Sequence, residues 1–347
     1  MTTIPANTAA RERDESERQS WLSRRTAWCV LAYPIPANAN RWQYMLGGLS
    51  LALFAVLVGT GIVLDQFYDP TPLSAHDSVV YIATRLPFGH WVRSLHYWSA
   101  SFFLVSVAAH TIAVFVRRAY RPPREVTWWL GVVLLILAAA LAFTGTVLRA
   151  DQEGVEALAH AVAGAELLGP LGAVLSSDFA PSTSLLARIH SAHVSILPIG
   201  VVSVLALHLW LVRHLGIAAE GSHTVPFTTH LRRLAGAALL LLGALSVLAA
   251  LRLPVLGPSG QEGVEITKPF WPFLWIYALE NTVGLWGMVL GPTMVVSFLF
   301  LIPFFDRGVV PEHARPAWLS WLAAALLLAL VAGILYGAVA PEQQHLM

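Results

Sequence analysis

The chain has 347 residues, of which 56% are hydrophobic and 12% charged, with a formal net charge of +1. A soluble domain carries about 25% charged residues, so this composition excludes a soluble globular protein and a nucleic-acid binder and requires a polytopic membrane protein. The single cysteine, Cys29, excludes an intrachain disulfide and a C-x-x-C-H attachment site.

Residues 1–43 form a charged tail. Residues 1–25 lack an apolar stretch, so no cleavable signal peptide is expected. Glu12 to Glu17 among arginines, then Trp21 and Leu22, read either as an interfacial helix or, for the first ten residues, as a disordered tail. Seven apolar spans follow at 44–64, 91–116, 127–148, 186–212, 234–252, 284–305 and 318–338. Each has about the 20 residues that a hydrocarbon core of about 30 Å requires. The fold class is therefore all-α and polytopic, with a four-helix bundle over 44–216 and three further helices over 217–347.

Basic residues orient the spans. Arg11, Arg13, Arg18, Arg24, Arg25 and Arg41 lie in the tail, and Arg117, Arg118, Arg121 and Arg124 follow the second span. Arg213, Arg232, Arg233, Arg307 and Arg315 fall on the same side. The rest of the 21 basic residues are Arg85, Arg93, Arg149, Arg188, Arg252 and Lys268. A cytoplasmic N-terminus and an outer C-terminus are expected, in a prokaryotic plasma membrane. The three long connections then fall outside. They are proline-bearing but apolar (Phe270, Trp271, Phe273, Leu274, Trp275), so short helices on the membrane surface are expected there.

Four histidines stand inside the spans. His96 and His110 are 14 residues apart on the second, and His193 and His208 are 15 apart on the fourth. At about 1.5 Å and 100° per residue, each pair rises about 21–22 Å with a modest angular offset. The two spans run the same way, so His96 should meet His193 near the outer face and His110 should meet His208 near the inner. Two imidazoles per site, with no cysteine or carboxylate close by, suit six-coordinate haem iron; zinc would want four ligands. Gly47/Gly61 in the first span and Gly131/Gly145 in the third repeat the 14-residue spacing, as expected where a bulky planar cofactor approaches the backbone. Glycines that merely pack helices closely, and histidines that form a proton relay in a transporter, are the competing readings. Arg93 and Arg188, just before His96 and His193, are candidate partners of haem propionates or snorkelling interface residues. The remaining histidines read as loop or surface residues: His76, His90 and His160 in outer loops with a possible relay role, and His223, His230, His313 and His345 at the surface.

The stretches Arg93-Ser-Leu-His96 … His110, RPPREVTWWLGVVL and RIHSAHVSILP resemble the cytochrome b of Rieske-type quinol-oxidising complexes, in its chloroplast-type form, over about 26–216. The resemblance implies two non-covalent haem b groups, quinone as substrate, a Rieske iron–sulfur protein and a c-type cytochrome as partners, and a homodimer in lipid. Three departures stand out. The family's PEWY motif, whose Glu accepts a quinol proton, is Pro269-Phe270-Trp271-Pro272 here. Its PWDQ motif is Arg149-Ala150-Asp151-Gln152. The cysteine that tethers an extra haem is Met45, so no covalent haem c is expected. Substitutes for the missing acid are Glu280, at the start of the sixth span, and then Glu262, Glu265 and Asp151. Arg213 and His214 are candidates for an inner quinone site or a helix cap. Without a working outer acid, the chain would be a haem-bearing anchor and electron conduit for another redox module.

Overall fold

A computed structural model describes residues 31, 33–219, 221–306 and 317–346. The interfacial helix expected near residues 12–22 lies outside the described residues.

Seven helices are long and apolar enough to cross a membrane. Four form the N-terminal bundle: α1 (Leu46–Asp65), α3 (Gly89–Val116), α4 (Glu125–Val147) and a compound span over Leu185–Leu215. The others are α8 (Phe227–Leu251), α10 (Trp286–Phe305) and α11 (Ala317–Val339). Each expected span is found, with most ends shifted by one to three residues. The largest difference is α8, which starts at Phe227. Its polar first turns, including Arg232 and Arg233, are anchored by a short antiparallel pairing of β1 (Pro34–Pro36) with β2 (Thr224–Pro226), so the helix begins before its apolar stretch does. Short helices occupy all three long connections: α2 (Ala75–Thr84), α5 (Gln152–Glu166) and α9 (Leu274–Val283).

The compound span is α6 (Leu185–Ser191), a π-type turn over Ala192–Ile196, and α7 (Leu197–Leu215). Pro198 has no N–H to donate to the carbonyl four residues back, which favours a widened turn just before it. This turn absorbs one residue. The 15-residue interval from His193 to His208 therefore turns nearly as a 14-residue α-helical interval would, and matches His96 to His110 on α3.

An apolar cluster fills the bundle between the two histidine levels and reaches the His96 level at Leu95. Leu53 and Phe54 of α1, Leu95 and Phe103 of α3, Ala138 of α4, Val201 of α7, and Leu245 and Ala249 of α8 are all buried in one cluster. Phe54 and Phe103 lie with ring centroids 6.0 Å apart. The C-terminal helices are fastened to the bundle at the inner end. Pro303 leaves the Leu299 carbonyl of α10 without its helical partner, and Trp128 Nε1 of α4 donates to it at 2.7 Å. Trp129 Nε1 donates to Phe300 O at 3.0 Å. Below them, buried Asp306 accepts from Tyr120 Oη at 2.7 Å, from Arg121 at 2.6 Å and from Arg118.

Candidate functional site

The outer site is built from four elements. His96 on α3 and His193 on the π-turn face one another with ring centroids 6.5 Å apart. Two metal–imidazole bonds of about 2.0–2.1 Å, with about 1.2 Å from each nitrogen to its ring centre, span about 6.4 Å. One metal ion thus fits between these rings.

The tautomer of both rings is set by threonine. Thr60 Oγ1 donates its proton to Val56 O at 2.7 Å, so toward His96 Nδ1, 2.9 Å away, it can only accept. Thr144 Oγ1 donates to Ala140 O at 2.8 Å and accepts from His193 Nδ1 at 2.8 Å. Each Nδ1 therefore carries the hydrogen and each Nε2 keeps its lone pair for a metal. This is the outer-shell arrangement that orients metal-ligating histidines.

At the inner level, His208 Nδ1 donates to Thr127 O at 3.1 Å, which frees its Nε2 in the same way. His110 Nδ1 is buried without a hydrogen-bond partner. His208 is an electrostatic neighbour of His110.

The four glycines each face one of the four rings. A Cβ on Gly61 would lie 3.4 Å from His96 Cε1, and one on Gly145 would lie 3.0 Å from His193 Cε1. Gly47 and His110 are related in the same way at 3.0 Å, and Gly131 and His208 at 3.7 Å. What lies directly over each glycine is thus the edge of an imidazole, so the glycines fix how closely the histidines approach α1 and α4.

Beside the outer pair is a cavity of about 310 Å³, lined by Gly61, His96, Phe103, Gly145, His193 and Phe270 among others. Arg93 lines it too, and donates to Pro254 O at 3.1 Å. The Arg188 guanidinium holds Val174 O and Ser176 O at 2.9 and 2.6 Å and fastens the α5–α6 connection. Arg149, absent from the sequence candidates, takes a place on the cavity wall beside Arg93, paired with Asp151 and Glu153.

Phe270 is buried against Tyr97, Trp271 and Phe273 and also lines a second cavity, of about 110 Å³. Glu280 of α9, Glu265, and His160 of α5 line that second cavity. Glu280 is 4% exposed, and its Oε1 has no hydrogen-bond partner and lies 3.5 Å from His160 Nε2. Burial pushes its carboxyl above the ordinary glutamate range; His160 opposes the rise and Glu265 adds to it.

The other proposed acids separate by environment. Asp151 caps α5 through Gly154 N and also accepts from Gly257 N, and Glu262 is exposed. Glu265 accepts from the backbone of His345 and Leu346. His345 is corrected from a surface residue to a largely buried one beside His160, and burial lowers its pKa. His230 is likewise buried, stacked on Phe227. Arg213 and His214 are exposed and lie against Tyr33 and Trp210.

The fold and site define a polytopic membrane protein with four buried or half-buried histidines at two levels of one bundle. Residues 30–216 match the family model described as cytochrome b/b6/petB, which is more than half of the chain, and the chain belongs to that family. It is 34% identical over 212 residues to a cytochrome b6 of Heliobacterium mobile, covering 57% of this chain and 98% of that one. It is 36% identical over 192 residues to a cytochrome bc complex cytochrome b subunit of Chlorobaculum thiosulfatiphilum, covering 53% of this chain and 44% of that protein. A chain of a hyperthermophilic respiratory complex III shares the fold, with a TM-score of 0.79 at 21% identity, over 92% of this chain and 91% of that one. The cofactor of a cytochrome b is haem b.

Proposed function

We propose that this cytochrome b is a two-haem electron-transfer subunit that carries electrons across a prokaryotic plasma membrane between a quinone pool and redox partners. The observation that carries the reading is the outer pair: two rings 6.5 Å apart, each with Nδ1–H held by a threonine and Nε2 free. His96 and His193 would hold the outer haem iron, and His110 and His208 the inner. The group supplies one-electron redox chemistry when bound. The chain's own residues orient the four imidazoles, keep glycine at the four contacts, and separate the levels with the apolar layer around Leu53, Phe54 and Phe103. Residues 44–216 form the haem-bearing domain and 217–347 the second domain. The N-terminus is cytoplasmic and the C-terminus outside. A Rieske iron–sulfur protein and a c-type cytochrome, in a homodimeric assembly, are the partners that the sequence resemblance implies, and the bc-complex relative supports the presence of further redox subunits. The test is the haem-to-polypeptide ratio of the purified chain with a reduced-minus-oxidised spectrum. Two b-type haems per chain support the reading, and one or none rejects it.

Glu280 is the acid we assign to proton acceptance from quinol at the outer pocket. It is buried with one oxygen unpartnered, in a cavity that shares the wall residue Phe270 with the outer histidine cavity. The second reading, an electron conduit without quinol oxidation, rests on Phe270 itself, an apolar side chain where the family's acid would stand. Quinol:acceptor turnover of the assembled complex separates them. Inhibitor-sensitive turnover that Glu280→Gln abolishes, with both haems retained, supports the first; no turnover in the unmutated complex supports the second.

A further inference from the structure

The carboxy-terminal tail folds back over α9 and reaches the buried cluster of the second cavity. Tyr277 Oη donates to Pro341 O at 3.2 Å and accepts from Gln343 N at 3.1 Å. Glu265 then accepts from the backbone N–H of His345 at 2.6 Å and of Leu346 at 2.8 Å. The tail thereby delivers the His345 ring to His160, with centroids 5.9 Å apart. Three segments remote in sequence meet here: α5, α9 and the last residues of the chain.

Their polar atoms do not satisfy one another. His160 Nδ1 faces the Glu156 carbonyl at 2.8 Å, so Nδ1 holds the hydrogen and Nε2 presents a lone pair. Glu280 Oε1 lies 3.5 Å from this Nε2 without a hydrogen bond to it. Glu280 Oε1, His345 Nδ1 and His345 Nε2 are all buried without a hydrogen-bond partner. The Glu280 side chain is 4% exposed and the His345 side chain 9%. Buried polar atoms left without partners are costly, and a cation held among them would offset that cost.

We propose that His160, Glu280 and His345 bind one divalent cation of the zinc class, which staples the carboxy-terminal tail to α5 and α9; Glu280 Oε1 serves either this cation or a quinol proton, so the two uses exclude one another. One ligand atom from each residue already lies within 4.8 Å of the other two. A tetrahedral site with bonds of about 2.0–2.1 Å has its ligand atoms about 3.3 Å apart. The His160–Glu280 separation of 3.5 Å is at that value, and His345, on the tail, is the ligand that closes the remainder. Two imidazoles and one carboxylate select zinc over magnesium or calcium, which prefer oxygen. The fourth position is left for water or for Glu265, whose Oε2 lies 3.9 Å from both His160 Nε2 and His345 Nδ1. The His160 second shell, Nδ1–H on a backbone carbonyl, is the one metal-ligating histidines use.

The purified full-length chain, stripped with chelator and then dialysed against zinc, tests this by elemental analysis of zinc against iron. One zinc per chain is expected, retained in excess magnesium. His345→Ala, His160→Ala and Glu280→Gln should each weaken binding at least tenfold. Ending the chain after residue 344 removes His345 without touching a helix, so it gives the same readout if a helix variant fails to fold. Absence of stoichiometric zinc from the unmutated chain, or undiminished binding after removal of His345, overturns the proposal. Iron content is read from the same sample, so failure here leaves the two-haem count intact, and a failed haem count leaves the zinc result intact.

Discussion

The four glycine positions should respond to alanine unequally, because the space over each is different. Alanine gains about 1 kcal/mol over glycine in a helix interior. At Gly131 the new methyl would stand 3.7 Å from His208 Cε1, an ordinary contact, so Gly131→Ala should be neutral or stabilising by up to that amount. At Gly61 the distance is 3.4 Å, the edge of ordinary contact. At Gly145 and Gly47 it is 3.0 Å, and the ring must retreat by several tenths of an ångström. His193 cannot retreat freely, since Thr144 holds its Nδ1 at 2.8 Å; His110 has no such hydrogen bond. Overpacking a fixed contact costs about 1–3 kcal/mol, so after the alanine gain Gly145→Ala should lose up to about 2 kcal/mol net and lower the temperature at which haem is released. Gly47→Ala should lose less, Gly61→Ala about nothing, and Gly131→Ala nothing. The assay is haem absorbance against temperature for the four variants in one detergent. Equal losses at all four positions would refute the reasoning, and would mean that the cofactor plane rather than the imidazole edge demands glycine.

Thr60→Val and Thr144→Val should each perturb the outer haem alone, with metal-site affinity reduced by about 10–100-fold, read as partial haem loss and a shifted outer potential beside an unchanged inner one. Arg93→Gln removes a cation from the outer cavity wall and should move the outer haem potential negative, while Arg188→Gln, whose guanidinium holds Val174 and Ser176 carbonyls, should leave it unchanged in a redox titration. Asp306→Asn leaves Arg118 and Arg121 without their buried carboxylate and should cost about 3 kcal/mol, seen as a lowered unfolding midpoint in detergent with both haem bands intact below it.

The spans, the pairing of His96 with His193 and the 14-residue glycine spacing were legible in the sequence, because each follows from a period along a single helix; that an imidazole edge, not a cofactor plane, lies over each glycine was not. The structure added what depends on contacts between helices. Thr60 and Thr144 directly precede Gly61 and Gly145, and a repeat search along the first and third spans could have found them; their role appears only once α1 meets α3 and α4 meets the π-turn. The extra residue between His193 and His208 was visible as a count, but the widened turn before Pro198 that absorbs it was not. The two carbonyls that Arg188 holds come from the α5–α6 connection, a contact that no period along one helix reveals. His345 and His230 were misplaced at the surface for one reason: a terminal tail and a helix start are polar in sequence, and only tertiary folding buries them.

The account stands on four imidazoles serving two haems. Its most direct test is the haem count of three proteins: the unmutated chain, His193→Ala and His208→Ala, measured as b-type haem per polypeptide with low-spin electron paramagnetic resonance signals. The account predicts two, one and one, with a different signal lost in each variant. Two haems retained in either variant, or a single haem in the unmutated chain, would contradict it.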